Sequence, residues 1–130
     1  MANSKASSSP AIVGKAIPSL LSQDLAATTA FYQKLGFAIT GEWGDGSPDW
    51  IEVSRDAMVL QFYRDPPIGT HPGSVLSGTL YFEVNGLDAL VKEFAADTTF
   101  EWGPELMDYG QREFAIRDPD GYLLAFFQKA

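Results

Sequence analysis

Trp43, Trp50 and Trp102 stand in two stretches of the chain where acids are relieved by no base. Between Lys34 and Arg55 lie Glu42, Asp45, Asp49 and Glu52; between Lys92 and Arg112 lie Glu93, Asp97, Glu101, Glu105 and Asp108, with Tyr109 beside them. Indole and phenol faces next to carboxylates suit a group that is both flat and positively charged, held by stacking and by charge. The same residues also fit a plainer arrangement, a solvated acidic surface with its tryptophans turned inward. The missing types narrow the chemistry further. The chain has no Cys and a single His, His71. Disulfides, thiol nucleophiles and thiolate metal sites are excluded, and any His relay would have to be built on His71. That residue sits in a run of turn formers, Asp65-Pro66-Pro67 to His71-Pro72-Gly73, and is expected to be an exposed turn residue.

Seventeen acids against nine bases give a formal charge of −8, a field that repels nucleic acid and anionic membranes and attracts cations. A length of 130 residues allows one domain, and 45% hydrophobic residues supply a core, although dimerisation would help a domain so small. No apolar run approaches the roughly 18 residues of a membrane span. Residues 1–15, rich in Ala and Ser, lack the apolar stretch of a signal peptide and are expected to be a disordered tail on a cytoplasmic protein.

The elements that must position these aromatics follow from periodicity. A strand is expected at about 16–22, with Pro18 inside it. Asp24 then caps a helix whose Leu25, Tyr32 and Leu35 keep helical spacing before Gly36 ends it. Strands follow at Phe37–Trp43, Trp50–Ser54 and Met58–Arg64, then a Pro-rich linker at 65–77. Past the linker the order repeats: a strand at Gly78–Val84, a helix with Leu87, Leu90, Val91 and Phe94 at i, i+3, i+4 and i+7, short strands near Phe100 and at Glu113–Arg117, and a last strand at Tyr122–Gln128. Met58–Tyr63 and Tyr122–Phe127 occupy equivalent places 64 residues apart. Two βαβββ units, about 16–64 and 78–128, are the economical organisation.

Strand alternation sorts the residues by face. Leu60 with Phe62, Leu80 with Phe82 and Val84, and Leu124 with Phe126 are expected under the helices. Gln61, Tyr63, Thr79, Tyr81, Glu83, Ala125 and Phe127 fall on the opposite face, a mixed and aromatic surface suited to a small-molecule cleft.

Several short motifs resemble a known family. Asp24-Leu25, Phe31-Tyr32 and Leu35-Gly36-Phe37 resemble the first-helix signature of the vicinal oxygen chelate superfamily, and Asp118-Pro119-Asp120-Gly121 resembles the turn before its last strand. Within it, Ile17-Pro18-Ser19-Leu20, Arg55-Asp56, Thr79-Leu80, Gly86-Leu87-Asp88, Tyr109-Gly110 and Arg112-Glu113-Phe114-Ala115 are similar, in order, to the bleomycin resistance proteins. The resemblance implies an α+β fold of paired βαβββ modules, a curved mixed sheet around a cleft, and a homodimer. Pro18 lacks a ladder donor and suggests an edge strand or one exchanged between subunits, and exchange is what the resemblance implies.

Enzymes of this superfamily hold a divalent metal through His, Gln or Glu on the first, fourth, fifth and last strands. The matching positions here are Ile17, Gln61, Thr79 and Ala125, so no metal and no cofactor are expected, and no catalytic residue is assigned. The resemblance implies a protein that binds a bleomycin-class glycopeptide, with or without its own chelated metal, and sequesters it unaltered. Such a drug carries a flat bithiazole, a cationic tail and a polar head. By position, Trp50 and Tyr109 match the stacking residues of the family, although family members often have Trp where Tyr109 stands. Tyr63, Tyr81 and Phe127 share the cleft face, and Gln61 is placed to bond a ligand amide or its own backbone neighbours. Glu42, Asp49, Glu101 and Asp108 are the acids nearest the aromatics, and Glu113 is expected to pair with a nearby base or turn amide. Two alternatives remain: a metal-independent lyase or isomerase using Glu113 or Glu83 as base, and a binding protein for another planar cationic metabolite.

Overall fold

The structure is a computed structural model that describes residues 9–64 and 76–130. The linker residues 65–75, His71 among them, and the first eight residues of the tail lie outside the described residues. Residues 9–17 are exposed and form no regular element. The first module runs through β1 (Ser19–Leu21), α1 (Leu25–Lys34), β2 (Ala38–Trp43), β3 (Trp50–Arg55) and β4 (Met58–Tyr63). The second repeats it with β5 (Thr79–Glu83), α2 (Leu87–Ala95), β6 (Phe100–Leu106), β7 (Gln111–Arg117) and β8 (Leu123–Lys129). Each module is a four-stranded mixed sheet, ordered β1-β4-β3-β2 and β5-β8-β7-β6, with one parallel pair per sheet, β1 with β4 and β5 with β8.

Local chemistry explains most boundaries. Asp24 takes an extended conformation and its Oδ1 accepts the Ala27 N–H at 3.0 Å, starting α1, a cap worth about 1 kcal/mol. Gly36 follows the helix at φ +86°. Most boundaries shift by one or two residues from expectation, and two differ by more. The strand β1 is only three residues long, and Pro18 precedes it: without an N–H, Pro18 contributes only its carbonyl, which accepts the Gln61 N–H at 2.9 Å. The strand expected near Phe100 instead extends to Leu106, with register shifts on both sides of Trp102.

The alternation in β3, β4, β7 and β8 drives one face of each sheet under a helix. Ile51, Val53, Leu60 and Phe62 in the first module, and Phe114, Ile116, Leu124 and Phe126 in the second, are buried against Tyr32, Leu35, Leu87 and Phe94. Phe114 and Phe126 stack at 5.2 Å between centroids. Leu80 and Phe82, on the edge strand β5, and Val84 just after it are only partly covered.

Each module's turn grips the other module's helix. The Tyr32 hydroxyl donates to Asp118 Oδ2 at 2.8 Å, while Asp118 Oδ1 accepts the N–H groups of Asp120 and Tyr122. Asp120 accepts from the Gln23 N–H and the Thr28 hydroxyl, and Tyr122 donates to the Leu21 carbonyl at 2.7 Å. Reciprocally, Arg55, at the β3–β4 turn, donates to Glu93 on α2 at 2.5 Å and lies 5.9 Å from the centre of the Phe94 ring. Burial raises the Asp118 carboxyl, against the lowering effect of the Tyr32 hydroxyl. Burial, then Asp118, raise the Tyr32 phenol well above its ordinary value. The Asp-Pro-Asp-Gly turn is thus a structural clamp.

Candidate functional site

The faces turned away from the helices carry the predicted site residues. Cross-strand partners share a face, so register reads out as rows. On the first sheet, Trp43, Trp50, Tyr63 and Leu21 form one row across β2, β3, β4 and β1. The next row is Gly41, Glu52, Gln61 and Ser19. The Trp50 indole lies over Gly41, where a Cβ would come within 2.9 Å of the ring. Gln61 Nε2 donates to Glu52 Oε2 at 2.9 Å, and the Thr40 hydroxyl donates to Glu52 Oε1 at 2.9 Å. The amide expected to bond a ligand or its own backbone neighbours is instead engaged with a side chain, the carboxylate of Glu52. At the rim, Trp43 is 70% exposed.

On the second sheet, Trp102, Ala115, Ala125 and Tyr81 form one row across β6, β7, β8 and β5, and Glu105, Glu113, Phe127 and Glu83 form the next. Ala115 and Ala125 are fully buried although they lie on the open face, so neighbouring side chains cover these small floors. Tyr81 meets Phe127 edge to face at 6.2 Å. Tyr109, 61% exposed, occupies the turn after β6.

Glu113 is fully buried at the centre of this face. Its Oε2 accepts the Trp102 indole N–H at 2.8 Å; its Oε1 accepts the Tyr109 hydroxyl at 2.5 Å and the Gln111 amide at 3.2 Å. The expected partner, a base or a turn amide, is absent from this set: all three donors are neutral side chains. Burial pushes the Glu113 carboxyl up, but the donations from Tyr109, Trp102 and Gln111 outweigh it and hold the carboxyl below its usual value. The Tyr109 phenol is raised in turn, chiefly by donating to Glu113. Gly103 lets β6 approach, since a Cβ there would fall 2.2 Å from the Glu113 carbonyl.

The predicted residues thus fall into two groups, Trp50, Tyr63 and Gln61 on one sheet and Tyr81, Tyr109 and Phe127 on the other. Among the described residues, no ring contact joins the groups. Of the acids near the aromatics, Asp49 pairs with Arg64 and Glu101 with Arg117, whereas Glu42 and Asp108 have no ion pair among the described residues. A groove of about 950 Å³ between the modules is lined by Phe37, Met58, Leu80, Phe82 and Leu90; of the candidate site residues singled out from the sequence, Ile17, Pro18, Tyr81 and Glu83 reach it, whereas Trp50, Gln61, Tyr63, Tyr109 and Phe127 do not. It opens along the edges of the core and does not coincide with the aromatic rows. The four positions that would carry a superfamily metal do not fit one. Ile17 precedes β1, Gln61 is bonded to Glu52, Thr79 begins β5 and Ala125 offers a methyl. Among the described residues no three His, Asp or Glu side chains converge, and no helix is long and apolar enough to cross a membrane.

Residues 16–126 match the model of the Glyoxalase/Bleomycin resistance protein/Dioxygenase superfamily, and the chain belongs to that family. A bleomycin resistance protein from Klebsiella pneumoniae is 29% identical over 125 residues, 88% of this chain and 91% of that protein. The bleomycin-binding protein of bleomycin-producing Streptomyces verticillus, solved with copper(II)-bleomycin, is 27% identical and superimposes with a TM-score of 0.68, covering 91% of this chain and 97% of that one. A lactoylglutathione lyase from Agrobacterium tumefaciens shares the fold with a TM-score of 0.68 at 20% identity, covering 92% of this chain and 94% of that one. The fold alone therefore serves both binding proteins and enzymes.

Proposed function

We propose that this chain is a non-catalytic binding protein that sequesters a bleomycin-class glycopeptide, as a cytoplasmic homodimer. The observation that carries the proposal is the pair of open faces, each an aromatic row beside a carboxylate engaged by neutral donors. In a twofold dimer, the Trp50 row of one subunit faces the partner subunit's Tyr109 and Tyr81, and a flat bithiazole lies between them. Two ring stacks contribute only about 0.5–1.5 kcal/mol each beyond the area they bury, against the ~8 kcal/mol of a micromolar complex. Burial of the flat group and attraction of the cationic tail to the acidic rim supply the rest. The relatives named for bleomycin resistance and bleomycin binding support this choice of ligand. Glu113 is poorly suited to act as a general base, because its carboxylate is enclosed, occupied by three donors and held below the usual range.

Titration with metal-free and copper-loaded bleomycin, followed by tryptophan fluorescence, is expected to saturate at one drug per subunit, with the drug recovered chemically unchanged by mass spectrometry. Turnover of the drug, or no saturable binding, overturns the proposal. Sedimentation at micromolar concentration is expected to give twice the 14.2 kDa chain mass. A monomer that still binds defeats the interface site.

A further inference from the structure

Tyr109 is an exposed ring on a turn, and Trp102 stands between two irregularities in β6. Neither position is fixed by regular strand pairing alone. Yet both side chains end on one carboxylate, the indole on Oε2 and the phenol on Oε1. That carboxylate projects from the middle of β7, which is hydrogen-bonded to a strand on either side. The neighbours of Glu113 in its own row are Glu105, Phe127 and Glu83, so no base offsets its charge from within the row. The alanines at 115 and 125 keep the adjoining row low between Trp102 and Tyr81. We propose that Glu113 is the positioning residue of this face: by holding the Trp102 indole and the Tyr109 phenol together, it presets two rings, over a negative charge, for a flat aromatic group borne by a cation. A ring already fixed loses less freedom when a ligand arrives, so the carboxylate acts on affinity through the rings it holds.

This inference rests on the proposed binding function for its ligand, but its main signature needs no ligand. The Tyr109 contribution to tyrosinate absorbance is read as the difference between the wild type and Tyr109→Phe. It is expected to be missing up to pH 11, and to appear near pH 10 when Glu113→Gln is compared with the double variant. Because Glu113→Gln disturbs a buried site, Tyr109→Phe gives a second test that spares the core. It keeps the ring and removes only the tether, and is expected to alter the near-ultraviolet circular dichroism of tryptophan and to weaken metal-free bleomycin about 3–10-fold. Glu113→Gln, where folded, is expected to weaken it about 10-fold. Unchanged dichroism and unchanged bleomycin affinity in Tyr109→Phe would overturn the positioning role, as would a Tyr109 that ionises normally in the wild type. If bleomycin fails to bind the wild type, the proposed function falls, while the titration and dichroism still decide the role of Glu113.

Discussion

Trp50, a residue of the proposed binding face, is made available by its neighbour. Its indole crosses Gly41, the one residue of the adjoining row with no side chain to lift it from the sheet. Trp50→Ala is expected to weaken bleomycin by about 1–3 kcal/mol through lost stacking and burial, with little change in melting temperature, because the ring lies outside the helix-covered core. Gly41→Ala puts a methyl where the ring rests and is expected to weaken binding in the same direction with the fold kept. Calorimetric titration alongside thermal melts checks both. Normal binding by a folded Trp50→Ala would return the acidic aromatic surface to its plainer meaning, a solvated rim. Tyr32 behaves differently, since its hydroxyl joins the modules. Its phenol is held above the ordinary value of 10.0, first by burial and then by Asp118. A phenol that ionises later in the folded chain contributes stability that is complete below about pH 10 and is lost as pH rises through the folded value. Tyr32→Phe is therefore expected to cost about 1–3 kcal/mol at pH 7, where Asp118 loses a donor, and progressively less above pH 10. Urea unfolding at both pH values tests this; a difference that does not change with pH contradicts it.

At the level of strands and helices, much was legible because burial follows simple periods. The alternation of Ile51 and Val53, the 64-residue repeat of the Leu-x-Phe strands, and the Asp24 cap all point to elements the structure contains. Their faces follow as well: Gln61, Tyr63, Tyr81 and Phe127 lie opposite the core, as parity requires. Parity fails where a strand is irregular. The shifts on either side of Trp102 break the count along β6, so nothing in the local sequence marks that its indole ends on Glu113, eleven residues on. The partners of Glu113 differ from the expected base or turn amide for a related reason. An acid beside Arg112 suggests an ion pair, but adjacent strand residues point to opposite faces. Arg112 instead reaches Asp88 on the helix side. Pro18 is expected inside a strand, whereas β1 begins at Ser19 and Pro18 adds only its carbonyl to the pairing with β4.

For the whole molecule, the charge of −8 is a property of the field and not of any one contact. Some acids are spent on neighbours, as Asp49 is on Arg64 and Glu101 on Arg117. Others, Glu42 and Asp108 among them, remain at the aromatic rims. A cationic drug is expected to bind more weakly as salt rises from 0.05 to 0.5 M, mainly through slower association, because screening shortens the reach of the field to a few ångströms. An uncharged analogue with the same flat group is expected to show little of that fall. Stopped-flow association at several ionic strengths separates the two cases, and a cationic drug indifferent to salt would remove the acidic rim from the account of affinity. The reciprocal grip between modules has a different consequence. Each half presents its helix to a turn that belongs to the other half, Asp118 and Asp120 to α1 and Arg55 to α2. Each half lacks polar partners of its own helix, since Thr28 and Tyr32 end on Asp120 and Asp118, and Glu93 meets Arg55. Two polypeptides made by dividing the gene between the repeats are expected to be unstructured apart and to assemble on mixing into one complementing pair. Circular dichroism of each piece and of the mixture would show it. Drug tolerance in cells would then depend on the co-expression of both pieces, turning a duplicated fold into an obligatory partnership.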